Sequence, residues 1–182
     1  MGKTLTRAIN YIFKGVPEVD VKVEVGCVDP SSRLKGKRIL ITGGGRGLGF
    51  SIAKKCVAEG ADVLISGRSS ETLEKASAEL GGCAYSVFDV TDYENIPSFM
   101  EECSRKLGGR IDVLVNNAGI SLHEGSIHNV TLESFDAQFG TNLKGPYFLA
   151  KAFLERFKSA EGTDGSIIFI TSERGLYCDD QP

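Results

Sequence analysis

Arg38-Ile39-Leu40-Ile41-Thr42-Gly43-Gly44-Gly45-Arg46-Gly47-Leu48-Gly49 joins a short apolar strand to the start of an amphipathic helix through a glycine-rich turn. A phosphate can approach backbone N–H groups at a helix N-terminus only where no Cβ blocks the way. The strand–turn–helix context therefore points to a dinucleotide site and away from a simple hinge. The spacing is Thr-Gly-x3-Gly-x-Gly, not the common Gly-x-Gly-x-x-Gly. It is not a phosphate-binding P-loop either, because no Lys-Ser/Thr pair follows Gly49.

Outward from this turn, strand and helix signals alternate. Strands are expected at Arg38–Thr42, Asp62–Ser66, Ala84–Phe88, Asp112–Asn116 and Ser166–Thr171, short runs rich in Val and Ile and bounded by Gly, Asp or Asn. Helices are expected at Leu48–Glu59, Ser70–Leu80, Tyr93–Leu107 and Leu132–Lys158. In the first, Leu48, Ile52, Cys56 and Val57 form the expected core-facing stripe; Ser70 and Thr91-Asp92 are cap candidates for the next two. Such alternation implies an α/β fold with a doubly wound parallel sheet, its ligand at the carboxyl ends of the strands.

The 182 residues suffice for one such domain, and 41% hydrophobic with 25% charged residues is ordinary globular composition. A net charge of −3 without a basic stripe argues against nucleic acid as a partner. No apolar run suggests a membrane span or signal peptide. Met1-Gly2 with Thr6 matches a myristoylation signal only formally, since the pattern is short and common. Cys27, Cys56, Cys83, Cys103 and Cys178 are scattered, which suits free thiols in a reducing cytoplasm.

His123-Glu124-x-x-x-His128 has one residue too many for a zinc-protease helix, so no metal is expected. His123 and its neighbours from Ser121 onward suit the mouth of the ligand cleft instead. The domain is expected over residues 37–182. Residues 1–36 fall outside the pattern, and read either as an arm that pairs with the domain or a neighbouring subunit, or as a poorly ordered extension.

A second motif, Asn116-Asn117-Ala118-Gly119, ends the fourth strand. Its small residues let a flat ring lie against the strand end, and its asparagines can tie neighbouring strands together. Taken with Thr42 to Gly49, with Asp89-Val90, with Asn142 in Thr-Asn-Leu-Lys-Gly and with Ser172 in Ile-Ile-Phe-Ile-Thr-Ser-Glu-Arg-Gly, it resembles the short-chain dehydrogenase/reductase family. The resemblance runs from Leu34 to about Pro182.

It implies a Rossmann fold and a nicotinamide-dependent oxidoreductase acting on a small-molecule carbonyl or alcohol, with a homo-oligomer as the expected assembly. By motif, Gly43, Gly44, Gly45, Arg46, Gly47, Leu48 and Gly49 would hold the adenosine and pyrophosphate. Asp89 and Val90 would contact the adenine, and Asn117, Ala118 and Gly119 the nicotinamide side. Ser172 would hydrogen-bond the reacting oxygen, and Asn142 would hold a relay water through its main chain.

Charge decides between the two cofactors. A carboxylate after the second strand would bind the ribose 2′-OH of NAD and repel the 2′-phosphate of NADP. Here Gly67 occupies that place and Arg68 follows it, with Arg46 nearby in the turn. Two guanidiniums suit a phosphate, so NADP is the expected cofactor.

One element of the family pattern is missing. Its acid is a tyrosine in Tyr-x-x-x-Lys, roughly a dozen residues beyond the serine, whereas the sequence ends at Pro182. Tyr147 and Lys151 have that spacing but precede Ser172, and read as a helix-face pair. The expectation is a portion of a longer protein, its fold incomplete at the C-terminal end, with an apolar strand Ser166–Thr171 left with a bare edge. The alternative is a non-catalytic NADP-binding sensor or assembly module.

Overall fold

The computed structural model describes residues 33–156 and 165–172. Five parallel strands form one sheet: β1 Arg38–Thr42, β2 Asp62–Gly67, β3 Ala84–Val87, β4 Val113–Asn116 and β5 Ser166–Phe169, in the order β3-β2-β1-β4-β5. The helices are α1 Gly47–Ala58, α2 Ser70–Glu79, α3 Ile96–Lys106, α4 Leu132–Phe139 and α5 Gly145–Glu155. The chain moves one way from β1 through β2 to β3, then returns to the other side of β1 for β4 and β5. That reversal opens a crevice beyond the carboxyl ends of β1 and β4.

Strand alternation divides the core between the two faces. Ile39, Ile41, Val63, Ile65 and Val115 pack with Ala53 of α1 and Leu73 and Ala76 of α2. Leu40, Leu64 and Leu114 pack with Phe99, Met100 and Cys103 of α3 and Leu149 and Phe153 of α5. In the second layer, burial pushes the Cys103 thiol up to about 12, with the neighbouring Glu102 charge adding to the shift.

At the amino end, Asp112 is buried and ties the strands together. Its Oδ2 accepts from the Arg38 N–H at 2.9 Å, and its Oδ1 pairs with Arg110 Nε at 2.7 Å. Asp112 therefore precedes β4 as an anchor and is not its first residue. Leu34, assigned to the arm by sequence, donates its N–H to Glu59 O at 3.0 Å and packs against the α1–α2 layer. Residues 1–32 of the expected arm lie outside the described residues.

Four expectations are corrected by the packing. Leu48 is exposed; Gly49 and Ala53 are the buried positions of α1. The cap of α2 is Ser69, whose hydroxyl accepts from Thr72 N–H, while Ser70 instead donates to Glu74. Tyr93–Asn95 is a separate 3₁₀ turn, and α3 begins beside Pro97 without a side-chain cap. The long helix expected from Leu132 is broken by a five-residue π-helical segment, Gly140–Lys144, between α4 and α5. Its expected last residues, 157 and 158, lie outside the described residues.

β5 is an edge strand among the described residues, and its Ile168 and Phe169 are exposed. The strand ends at Phe169, short of the expected Thr171.

Candidate cofactor cleft

A cleft of about 550 Å³ opens at the carboxyl ends of the strands. The glycine turn forms its floor. Gly47 has φ +58° and open space where a Cβ would stand, so its backbone faces the cleft unshielded. At Gly49 the reason for glycine is different: a Cβ would collide with the Gly43 carbonyl and the Asn117 amide. Removing that Cβ lets the start of α1 come up against the end of β4.

The wall beyond β4 is fixed by three sets of hydrogen bonds. The buried Thr42 hydroxyl accepts from the N–H groups of Asn117 and Ala118, both at 3.0 Å. Asn117 Nδ2 donates back to Thr42 O at 2.9 Å and Gly43 O at 3.2 Å. Asn142, inside the π-helical segment, pairs with Ile120: Nδ2 donates to its carbonyl and Oδ1 accepts from its N–H, each at 2.8 Å. Turn and wall are thus held to each other by hydrogen bonds within the protein.

On the opposite side, β2 ends in Ser66-Gly67 and is followed by Arg68, all three lining the cleft. Arg46 lines it too, and neither arginine has an ion-pair partner among the described residues. The Ser66 hydroxyl is buried without a hydrogen-bond partner there. Asp89 is the one carboxylate of the lining among the described residues; its Oδ1 accepts from the Thr91 N–H and hydroxyl at 2.9 and 2.7 Å, which fixes the Asp89–Val90 turn. Phe88 lines the cleft and stacks on Phe99, with ring centroids 4.0 Å apart.

Of the residues expected at the site, Gly43, Gly45, Arg46, Gly47, Leu48, Gly49, Arg68, Asp89, Val90, Asn117, Ala118 and Gly119 all line this one cleft. Gly44 does not; it is turned toward β2, where a Cβ would sit 2.7 Å from Ile65 Cβ. Asn142 acts on the lining through Ile120 and is not part of it. Ser172 is exposed beyond β5, outside the lining. His123 also lies outside it, and the wall ends at Ile120. Tyr147 and Lys151 are on exposed parts of α5, away from the cleft. Ile120, Thr141, Ser69 and Thr72 were not expected, although all line the cleft. Ser69 and Thr72 carry a readable signal, because they flank the start of a helix beside Arg68.

The donor set fits a phosphorylated dinucleotide. It combines an unshielded helix N-terminus, two guanidiniums and a buried hydroxyl that have no partner among the described residues at one end with a wall of small residues at the other. Among the described residues no three His, Cys, Asp or Glu side chains group as metal ligands. Nor is any described helix long and apolar enough to cross a membrane.

The family profile described as short chain dehydrogenase matches residues 37–179. Galactitol 2-dehydrogenase of Agrobacterium fabrum is 37% identical over 155 residues, covering 80% of this chain and 59% of that protein. The NADP-dependent (R)-specific alcohol dehydrogenase of Lentilactobacillus kefiri is 34% identical over 151 residues, covering 82% and 59%. Among solved structures, a metagenomic short-chain oxidoreductase in complex with NADP superposes with a TM-score of 0.69 at 34% identity, covering 79% of this chain and 65% of that one. A short chain dehydrogenase from Mycobacterium smegmatis gives 0.76 at 30% identity, covering 83% and 64%. This chain belongs to the short-chain dehydrogenase/reductase family. It spans about three-fifths of the length of these curated relatives.

Proposed function

We propose that the chain is the cofactor-binding portion of an NADP(H)-dependent oxidoreductase that moves hydride between the nicotinamide and a carbonyl or alcohol. The observation that carries the cofactor choice is the end of β2. Gly67 stands where a carboxylate would select NAD, and Arg68 and Arg46, without ion-pair partners among the described residues, line the same cleft. A 2′-phosphate there gains charge-assisted, bidentate partners. The bound nicotinamide would supply the hydride.

The chain's own residues would orient and shield it: Asn117, Ala118 and Gly119 at the ring side, and Asp89 and Val90 at the adenine. Reduction also requires a proton on the substrate oxygen. Ser172 and Asn142 are our proposed polar groups for that end, Ser172 as hydrogen-bond donor and Asn142 as holder of a relay water. A general acid contributes roughly 10²–10⁴-fold, and neither Tyr147 nor Lys151 reaches the cleft.

Binding without turnover is therefore expected of these 182 residues alone. The non-catalytic sensor is not favoured, since the named relatives are dehydrogenases. Self-association is proposed through the exposed stripe Leu132, Phe135, Phe139, Leu143, Tyr147 and Leu154 on α4 to α5. The free thiols of Cys56, Cys83 and Cys103 support a cytoplasmic location.

The test is NADPH oxidation against a panel of ketones and quinones. It compares this chain with a form extended through the family's Tyr-x-x-x-Lys. Turnover by the extended form alone is expected. Turnover by the short chain that disappears in Tyr147→Phe would overturn the assignment of the acid.

A further inference from the structure

Tyr93 stands three residues beyond Val90, in the 3₁₀ turn Tyr93–Asn95. Its ring is half-buried and tilted against Phe148 of α5 at 6.1 Å. It also meets both ends of the π-helical segment. At the far end, Lys144 Nζ sits over the ring, 4.1 Å from its centroid. At the near end, a Cβ on Gly140 would lie 2.9 Å from the Tyr93 hydroxyl oxygen. Directly after the segment, a Cβ on Gly145 would lie 2.6 Å from Val90 O.

A π-helical turn is rare and gains little from its own hydrogen bonding, so its shape depends on what packs against it. Here the packing partner is the stretch Val90–Tyr93. The residue in the middle of the turn is Asn142, which holds the Ile120 wall.

We propose that Tyr93 is a positioning residue: its ring holds both ends of Gly140–Lys144, sets Asn142 and Ile120 through that segment, and ties the wall to the Asp89–Val90 turn across the cleft. The two ends of an extended ligand would then report on each other through one phenol. The identity of that ligand rests on the reading given under Proposed function; the clamp itself does not.

A rescue experiment tests the clamp on the full chain. Gly140→Ala places a methyl group against the Tyr93 hydroxyl, and Tyr93→Phe removes that hydroxyl. In the ligand-free chain, Gly140→Ala should speed amide exchange at Ile120 by roughly tenfold, and the double variant should return to within about threefold of wild type. NADPH affinity should fall and recover in parallel, by roughly the same factors.

Tyr93→Leu, which loses both contacts, should speed exchange at Ile120 while distant core amides of β1 keep their protection. A merely structural loss would move all of them together. The proposal is overturned if Gly140→Ala leaves Ile120 protected, if Tyr93→Phe fails to rescue it, or if Tyr93→Leu acts on the core and Ile120 alike. A wild-type chain that binds no NADPH while the exchange results hold would sink the cofactor reading and leave the clamp standing.

Discussion

Thr42 and Asn117 hold each other twice. The Asn117 N–H donates to Thr42 Oγ1 at 3.0 Å, and Asn117 Nδ2 donates to Thr42 O at 2.9 Å. Both bonds join the last residue of β1 to the residue after β4, so the pair ties the two strand ends together where the sheet order reverses and the cleft opens. Thr42→Val keeps the shape but leaves the N–H groups of Asn117 and Ala118 without their acceptor. An orphaned buried donor costs about 1–3 kcal/mol, and both donors here are only partly buried, so a total loss of roughly 1–3 kcal/mol is expected. Urea unfolding should show it, with Thr42→Ser close to wild type. A fully stable Thr42→Val would mean that the hydroxyl contributes nothing.

Arg68→Ala should weaken NADP(H) much more than NAD(H). Loss of a charge-assisted phosphate bond costs about 1.5–3 kcal/mol, a factor of ten or more. Fluorescence titration of both cofactors against both proteins reads this directly. An unchanged ratio would remove Arg68 from the phosphate site.

The glycines of the turn should separate into two kinds. Gly47→Val is expected to abolish cofactor binding, because its side chain would project where the phosphates approach. Since Gly47 has φ +58°, the fold should also lose about 1–2 kcal/mol, so the variant melts lower but cooperatively. Gly49→Ala should damage the fold more, since the Gly43 carbonyl blocks its Cβ. Melting and binding measured together distinguish them, and the reverse order of stabilities would contradict this account of the turn.

How far the sequence carried this reading differs by element. β1 was legible to the residue, because three apolar residues, Ile39 to Ile41, end abruptly at Thr42 and a glycine cluster. The cleft lining was legible where a motif concentrates it, at Gly43, from Gly45 to Gly49 and from Asn117 to Gly119, while Gly44 of the same motif faces β2. Periodicity could not show the π-helical segment, since one extra residue hardly disturbs an apolar stripe that continues on both sides of it. Ile120 and Tyr93 were equally hidden. Their parts depend on contacts with Asn142 and Gly140, distant in sequence and without a local pattern. Leu48 misled because its apolar spacing suits a core face, while the turn directs it to the cleft.

Cys103 gives a pH dependence. Its thiol is held up to about 12 by burial and by Glu102, well above its ordinary value of 9.0. A raised folded value means stability that is complete below the unfolded pKa and is lost as pH rises toward the folded one. Wild type should therefore weaken from about pH 9 upward, by at most ~1.4 kcal/mol per pH unit from this group. Cys103→Ala should start lower in stability and show a shallower alkaline decline in thermal melts. Parallel declines would show that the thiol does not contribute.

We propose that this cleft binds NADP(H) and discriminates it from NAD(H) through the 2′-phosphate. Calorimetric titration of the wild-type chain with NADPH and NADH, at matched low salt, tests it most directly. The expected result is one site per chain with NADPH bound at least roughly tenfold tighter, and the difference shrinking as salt screens Arg46 and Arg68. Equal affinities, or tighter binding of NADH, would contradict the claim.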